Sequence, residues 1–235
     1  MTKLGTFYGI GVGPGDPDLL TVKAIKAIKE VDVLIAPKTE KKEGSVALSI
    51  AEPYLKSDVE IVYQIFPMVK DFAESPEIFE ANKNEILSIL REGKNVAFLT
   101  IGDPMFYSTY IYIFRLLTEE NIKIETIPGI PAFLAIASSI GKPVAFGNEI
   151  LSIIPATADI NEINAALEKS DSSVLMKVYK NFDEIISTLE SHNMIDKSVL
   201  VSRCGLPDEK IISNISEYKG ESLNYLSTII TRKNY

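Results

Sequence analysis

A glycine-rich segment near the start of the chain is the most conspicuous candidate for ligand chemistry. Residues 9–16 read GIGVGPGD, with four glycines at alternate positions. Because glycine weakens a strand, its repeated use indicates that another group approaches the backbone closely. The spacing is neither the dinucleotide fingerprint, since Pro14 and Asp16 stand where the last glycine is needed, nor a Walker A loop. A tight turn packed against a neighbouring element explains the segment equally well.

A second candidate follows an apolar strand in the middle of the first half. Gly102, Asp103 and Pro104 come directly after it. Asp is a good helix N-cap and Pro is favoured at the first helical position, which predicts a helix over 104–119 capped by Asp103. Ligands of open α/β sheets bind where the carboxyl end of a parallel strand meets a helix. Asp103 could therefore cap the helix and also accept a hydrogen bond from a ligand.

A third turn of small residues, Pro128-Gly129-Ile130-Pro131, follows a further predicted strand. A rigid connection between two domains and a wall of a ligand site explain it about equally well. If the carboxyl ends of the three preceding strands lie at one edge of a sheet, the three turns line a single cleft.

Residues for acid–base or nucleophilic catalysis are scarce. His192 is the only histidine and Cys204 the only cysteine, so a zinc site of His and Cys ligands is improbable and no metal is expected. His192 is explained by a helix C-terminus, and Cys204 by burial at a strand end. No Gly-x-Ser-x-Gly motif occurs. The sequence therefore assigns no catalytic residue.

Clusters of basic residues offer sites for an anionic substrate on an otherwise acidic protein. They follow predicted strands, although simple solvation explains each of them better. The six residues are Lys38, Lys41, Lys42, Lys177, Lys180 and Arg203.

Strand-type and helix-type segments alternate along the chain, which predicts an α/β fold of two lobes. The turn at Gly129 suggests domains of residues 1–127 and 128–235. In the first, strands are predicted at 7–12, 31–35, 59–63, 96–99 and 122–127, and helices at 17–30, 76–92 and 104–119. In the second, strands are predicted at 151–154, 173–178, 198–202 and 223–230, and helices at 131–140, 160–167 and 181–190.

Composition limits the classes of function. The 235 residues are 46% hydrophobic and 24% charged, as in ordinary globular proteins, and the net charge is −8. A surface of that sign repels nucleic acid phosphates, so nucleic acid is not an expected partner. A single cysteine permits no intrachain disulfide, and no segment has the length and apolarity of a membrane span. We therefore expect a cytoplasmic protein without a membrane partner.

Taken together, the three turns resemble the signature motifs of the tetrapyrrole (corrin/porphyrin) methylases. Residues 11–21, GVGPGDPDLLT, resemble the first motif of that family. The Gly102-Asp103-Pro104 and Pro128-Gly129-Ile130 turns match the next two in order and spacing, and the resemblance covers essentially the whole chain. Within the family, residues 6–13, 102–109 and 174–178 resemble the methylases that act on ring carbon 20 in cobalamin biosynthesis.

The resemblance implies a fold, a cofactor and a set of site residues. Family members have two α/β domains, bind S-adenosylmethionine in the cleft between them, act on a tetrapyrrole and form homodimers. Carried over by position, the cofactor-binding residues are Gly102, Asp103, Phe106, Pro131, Ala132, Met176, Lys177, Cys204 and Leu226. The substrate-binding residues are Gly13, Pro14, Gly15, Lys38 and Tyr107. Tyr107 and Tyr110 are candidates for a general base by position only.

The implied reaction needs little side-chain chemistry. An electron-rich ring carbon attacks the methyl group of the sulfonium, and the protein supplies alignment. Three alternatives stay open: methylation at another ring position, methylation of a protein residue as in diphthine synthesis, and a nucleotide-binding module without catalysis. Whether the substrate already carries cobalt is also open.

Overall fold

The structure, a computed structural model, describes residues 3–38, 44–67 and 75–234. It divides into two compact units, Met1–Pro131 and Ala132–Tyr235. The predicted α/β class with two lobes is confirmed. The sequence-based boundary between residues 127 and 128 falls slightly before this division and stays a prediction. Lys41 and Lys42 lie outside the described residues.

The first unit is built on a five-stranded sheet in the order β3-β2-β4-β1-β5. All four pairs of neighbouring strands are parallel. The strands are β1 (Thr6–Gly11), β2 (Val33–Lys38), β3 (Glu60–Ile65), β4 (Val96–Thr100) and β5 (Lys123–Ile127). The helices are α1 (Val22–Glu30), α2 (Val46–Ala51), α3 (Pro76–Arg91) and α4 (Tyr110–Leu117).

Burial explains why the strands of this unit could be recognised. Every residue of β4 is buried, as expected for a strand in the middle of a parallel sheet. On one face Phe98 packs against Phe66 and Tyr110, with ring centroids 5.5 and 5.9 Å apart. These rings form the centre of the core that α3 and α4 cover.

The predicted helix over residues 17–30 is in fact two segments. Asp16 accepts a hydrogen bond from the Asp18 backbone and begins a short 3-10 helix, Pro17–Leu19. Thr21 is extended and caps α1 by accepting from the Ala24 backbone at 3.1 Å. Two successive N-cap side chains therefore interrupt what the hydrophobic pattern presents as one helix.

The second unit contains a mixed sheet in the order β6-β7-β10-β8-β9. β6 and β7 are parallel, whereas β10 is antiparallel to both of its neighbours, β7 and β8. The strands are β6 (Leu151–Pro155), β7 (Ser172–Met176), β8 (Val199–Ser202), β9 (Lys210–Ile212) and β10 (Ser227–Arg232). The helices are α5 (Ala132–Ser139), α6 (Ile160–Lys169) and α7 (Phe182–Ser191).

This unit has a core of its own. Fully buried side chains from β7, β8 and β10 pack against α6 and α7. Sequence analysis missed two short elements, α2 and β9. Among the described residues, every helix falls short of the length and apolarity that crossing a membrane requires.

Candidate functional site

The strand order of the first unit creates a place for a ligand. From β1 the chain crosses β4 to reach β2, and from β4 it crosses β1 to reach β5. The two connections therefore leave adjacent strands in opposite directions. Open α/β sheets bind ligands at such a switch point, outside the carboxyl ends of the strands. Here those ends carry the first two glycine turns found in the sequence.

The turns after β1 and β4 are joined directly. The Gly102 backbone N–H donates to the Gly13 carbonyl at 2.7 Å, and the Gly13 N–H donates to the Gly102 carbonyl at 3.3 Å. Both glycines have the left-handed φ that other residues rarely adopt, +76° at Gly13 and +70° at Gly102. Gly13, Pro14 and Gly15 are buried, and their predicted role in substrate binding is not tested by this geometry.

The turn after β5, which contains Gly129, packs against the joined turns after β1 and β4. A Cβ added to Gly129 would lie 2.1 Å from the Gly102 carbonyl oxygen, and one added to Gly11 would lie 2.6 Å from it. A Cβ on Gly9 would meet the Tyr110 ring at 2.1 Å. The close approach that the glycines of β1 indicate is therefore made by other parts of this unit. The three turns do come together, as predicted.

Asp103 links two of these turns and is not a helix cap. Its Oδ1 accepts from the Met105 backbone N–H at 2.8 Å, and its Oδ2 accepts from the Gly129 N–H at 3.1 Å. The predicted helix over 104–119 is wrong at its start, because α4 begins only at Tyr110. The carboxylate satisfies backbone groups of two turns instead of a helix N-terminus.

Residues 104–109 form an irregular segment whose apolar side chains remain accessible. Met105 is 49% and Tyr107 43% exposed. The Phe106 and Tyr107 rings lie 4.7 Å apart, and Tyr107 has φ 48°. Ser108 fixes the end of the segment, since its hydroxyl lies 2.7 Å from that of Thr100 and accepts from the Tyr110 N–H. Phe106 and Tyr107 thus lie at the carboxyl edge of the sheet.

The surroundings of Tyr110 disfavour a general base at this position. Its side chain is fully buried, and its hydroxyl lies 2.7 Å from the Thr126 hydroxyl. Burial raises the pKa of Tyr110, and the bond to Thr126 lowers it only in part. The phenol therefore stays protonated in the core. Partial burial also raises the pKa of Tyr107, which disfavours a base there at neutral pH.

The candidate residues of the second unit lie at one edge of its sheet. Met176 ends β7 and pairs with Thr228 near the start of β10, so antiparallel pairing brings Leu226 to the same edge. The turn after β8 arrives there too, since the Arg203 N–H donates to the Leu226 carbonyl at 2.7 Å. The structure thus brings Met176, Lys177, Cys204 and Leu226 to one edge. Whether they bind a cofactor stays a prediction.

Backbone strain is concentrated at these edges. Among the described residues, the non-glycine positions with positive φ are Tyr107, Lys177, Asn193 and Arg203. Asn193 lies just after the end of α7, where its N–H donates to the Glu190 carbonyl, as is common at helix C-termini. The other three follow β4, β7 and β8. Such strain persists only where surrounding structure enforces it, and it is common at ligand sites.

Burial shifts the pKa values of Cys204 and Lys177 in opposite directions. Burial, together with the nearby Glu209 carboxylate, raises the pKa of the Cys204 thiol to about 12. The thiol therefore stays neutral and is unsuited to nucleophilic attack. Burial lowers the pKa of Lys177.

Lys38 and His192 each have an identified side-chain partner. The Lys38 ammonium lies 5.3 Å from the Tyr63 ring centroid, at the carboxyl ends of β2 and β3. His192 bonds through Nε2 to the Asn164 amide oxygen at 2.8 Å, which accounts for it structurally. In the described parts of the chain, no group of three or more His, Cys, Asp or Glu residues is placed to hold a metal ion.

Sequence reasoning missed the aromatic residues beside these edges. Tyr63 lies under Lys38, and Tyr179 and Tyr225 pack together beside Leu226. Single tyrosines carry no periodic signal, and only the strand pairing shows which of them come together.

A parallel sheet with joined glycine turns at its carboxyl edge, followed by a second α/β unit, is typical of α/β proteins that bind a ligand at the edge of an open sheet. The family model described as Tetrapyrrole (Corrin/Porphyrin) Methylases matches residues 6–218. The chain therefore belongs to the tetrapyrrole methylases, and it is an enzyme of the methyltransferase class.

Two curated relatives match nearly the whole chain. The cobalt-precorrin-2 C(20)-methyltransferase of Salmonella typhimurium is 34% identical over 232 residues, which are 98% of each chain. The probable cobalt-precorrin-2 C(20)-methyltransferase of Methanocaldococcus jannaschii is 34% identical over 229 residues, 96% of this chain and 95% of its own.

Solved structures share the fold. A cobalt precorrin-4 methyltransferase has a TM-score of 0.74 at 21% identity, covering 97% of this chain and 94% of its own. A uroporphyrin-III C-methyltransferase of Thermus thermophilus in complex with S-adenosylhomocysteine has a TM-score of 0.70 at 20% identity, covering 97% and 98%.

Proposed function

We propose that this enzyme transfers a methyl group from S-adenosylmethionine to carbon 20 of a dimethylated tetrapyrrole in cobalamin biosynthesis. The observation that carries the proposal is the 34% identity, over nearly the full length, to two methyltransferases named for that position. A uroporphyrinogen-III C-methyltransferase of Bacillus subtilis is 33% identical, but over only 60% of this chain. Carbon 20 is therefore favoured over the ring positions that enzyme methylates.

The residues at the strand edges suit the methyl donor. The Asp103 carboxylate accepts two backbone hydrogen bonds, which leaves acceptor capacity for a ligand hydroxyl or amine. Phe106 is half-buried at the same turn and offers an apolar surface. When bound, S-adenosylmethionine supplies an electrophilic methyl group on a sulfonium. Gly102, Asp103, Phe106 and Pro131 of the first unit and Ala132, Met176, Lys177, Cys204 and Leu226 of the second are proposed to hold it.

The protein's contribution is alignment of two reactants. Positioning the ring carbon against the methyl group can lower the barrier by roughly 7–11 kcal/mol at the ideal limit. The buried Tyr110 and the neutral Cys204 are consistent with a reaction that needs no nucleophilic side chain. Gly13, Pro14, Gly15, Lys38 and Tyr107 are proposed to contact the macrocycle, with Lys38 pairing to one of its carboxylates.

We propose the cobalt-containing form as the substrate. The relatives named for cobalt-precorrin-2 are 34% identical, whereas the precorrin-2 C(20)-methyltransferase of a Sinorhizobium species is 29% identical. Cobalt here is part of the substrate.

The test is an incubation with S-adenosylmethionine and each of the two dimethylated tetrapyrroles, cobalt-loaded and metal-free. We expect one added methyl group by mass spectrometry, its position at carbon 20 by NMR with a 13C-labelled donor, and preference for the cobalt form. A methyl group at another ring carbon would support the first alternative. Binding of S-adenosylhomocysteine without turnover of either tetrapyrrole would support a silent nucleotide-binding module.

We further propose that the enzyme acts as a homodimer in the cytoplasm. The family resemblance supports the homodimer, and the single cysteine, which fits a reducing compartment, supports the cytoplasm. In addition, the edge strand β3 exposes Ile61, Tyr63 and Ile65 at alternate positions, an apolar stripe of the kind that pairs with another chain. Light scattering after gel filtration should give twice the chain mass, and fractionation of the source cells should place the enzyme with soluble cytoplasmic markers.

A further inference from the structure

Two tyrosines and a lysine form a compact cluster in the second unit. The Tyr179 and Tyr225 rings lie 5.2 Å apart in an edge-to-face arrangement. The Lys180 ammonium lies 5.7 Å from the Tyr179 ring centroid. We refer to these three residues as the tyrosine cluster.

The tyrosine cluster is held at the sheet edge that carries the candidate cofactor residues. Tyr179 follows Val178, which is fully buried, and comes two residues after the strained Lys177. Tyr225 directly precedes Leu226, whose carbonyl accepts from the Arg203 N–H. Both tyrosines are therefore carried by backbone that strand pairing and burial have already placed.

Both rings are partly exposed, and they lie outside the core. Tyr225 is 40% exposed, and neither tyrosine is among the residues that form or border the core of this unit. Lys180 is exposed. An edge-to-face tyrosine pair presents a rigid apolar surface that loses little conformational entropy on binding.

We infer that the tyrosine cluster is a subsite for the tetrapyrrole, with the rings against the macrocycle and Lys180 paired to a ring carboxylate. The cluster as a whole suits the macrocycle better than the methyl donor. A tetrapyrrole offers a broad planar face to the two rings and several carboxylates to Lys180, whereas the methyl donor has one carboxylate, beside an ammonium and a positive sulfonium. This inference rests on the proposed function, because it takes the substrate class from it.

The test compares binding of the cobalt-loaded dimethylated tetrapyrrole, by calorimetry without methyl donor, in four variants. Tyr225→Ala should weaken binding of the macrocycle about three- to tenfold, as expected for one aromatic contact. Lys180→Ala should weaken it about two- to fivefold, as expected for one exposed charge pair. Tyr225→Phe keeps the ring and should bind like the wild type. The affinity for S-adenosylhomocysteine should stay unchanged in all of them.

Phe146→Ala is the matched control. Phe146 is 61% exposed and its ring lies 4.9 Å from the Arg232 guanidinium, so it too is an accessible aromatic residue beside a cation. Arg232 ends β10, whereas Tyr225 precedes its start, so the control lies at the opposite end of the same strand. Truncation there should leave macrocycle binding unchanged.

Several outcomes would overturn the inference. The first is wild-type affinity for the macrocycle in Tyr225→Ala and Lys180→Ala. The second is an equal loss of macrocycle affinity in Phe146→Ala. The third is weakened binding of S-adenosylhomocysteine in Tyr225→Ala or Lys180→Ala. Circular dichroism verifies folding, and Lys180→Ala provides an independent test if Tyr225→Ala is unstable. If the wild type binds the macrocycle but does not methylate it, the proposed function fails while the subsite stands.

Discussion

Asp103 illustrates how a single side chain shapes the candidate site. Its two carboxylate oxygens accept from backbone N–H groups of two turns, at Met105 and Gly129. Such bonds to a charged acceptor are stronger than neutral ones, and leaving the N–H groups without a partner is unfavourable. Asp103 therefore stabilises the turn after β4 and holds it against the turn after β5.

Asp103→Ala should lower the free energy of unfolding by about 1–3 kcal/mol, because two backbone N–H groups lose their acceptor. It should also weaken binding of S-adenosylhomocysteine, since the turns that are proposed to hold the cofactor lose their connection. Asp103→Asn keeps one acceptor oxygen and should lie between the alanine variant and the wild type. Urea unfolding and calorimetric titration measure the two effects.

Asp159 provides the control for this prediction. Its Oδ1 accepts from the Asn161 N–H at 2.8 Å, the same local bond that Asp103 makes to Met105. Asp159→Ala should lower stability, but it should leave the affinity for S-adenosylhomocysteine as it is. Equal effects of the two substitutions on affinity would contradict the role given to Asp103.

The Cys204 thiol should resist alkylation in the folded enzyme. Its pKa of about 12 leaves almost no thiolate at pH 8, and the fraction rises only as the pH approaches that value. Mass spectrometry after iodoacetamide should show little labelling of the native protein and complete labelling in guanidinium. Glu209→Gln removes the neighbouring charge, which lowers the thiol pKa and should speed the reaction at pH 9. Rapid native labelling at pH 8 would contradict the assigned protonation.

At the scale of elements, the three glycine turns act as one unit. Each lies at the carboxyl end of a strand, and the glycines at 11, 102 and 129 allow their backbones to come into contact. A side chain at Gly11 or Gly129 would meet the Gly102 carbonyl oxygen and push the turns apart, whereas Gly102 is needed for its left-handed φ of +70°. The close contact therefore depends on three residues that are distant in sequence.

Gly129→Ala should be severely destabilising and should abolish binding of S-adenosylhomocysteine. The added Cβ would lie 2.1 Å from the Gly102 carbonyl oxygen, a contact with backbone that no side-chain rotation can relieve. Gly44→Ala is the control, because an added Cβ there meets nothing within 4 Å. Thermal unfolding should show a marked loss for the first variant and little change for the second. A stable Gly129→Ala enzyme with normal affinity would refute this account of the turn.

At the scale of the whole molecule, each unit has a core among the described residues, and each core supports one group of candidate residues. The first is formed by aromatic rings around Phe98, and the second by aliphatic side chains around β7, β8 and β10. Each sheet positions its own part of the proposed site. A substitution that disrupts either core should therefore impair activity only by displacing the candidate site residues that this core supports.

Phe98→Ala should lower the free energy of unfolding by about 3–5 kcal/mol, since a fully buried ring leaves a cavity between Phe66 and Tyr110. Ile229→Ala, in the other core, should cost about 2–5 kcal/mol. Hydrogen exchange should rise first in peptides of the unit that carries the substitution. Equal loss of protection in both units for both variants would show that the cores are not separate.

How much could be predicted from the sequence depended on the range of the interactions. Apolar runs and helical stripes identified the main strands and helices, because each such pattern is complete within a few residues. The prediction failed where two local rules competed. Asp16 and Thr21 each cap a helical segment, so the one predicted helix is two segments. Asp103 has the sequence context of a helix cap, but its carboxylate accepts from the Gly129 N–H instead.

The sequence by itself determined the α/β class, the three glycine turns and the family they resemble. Turn residues and hydrophobic periodicity depend only on residues that are close together in the chain. Only the tertiary structure decided what those residues touch. It joined Gly13 to Gly102, buried Tyr110 against Thr126 and brought Tyr179 to Tyr225. These contacts depend on strand order and register, which are set by the packing of whole sheets and cores.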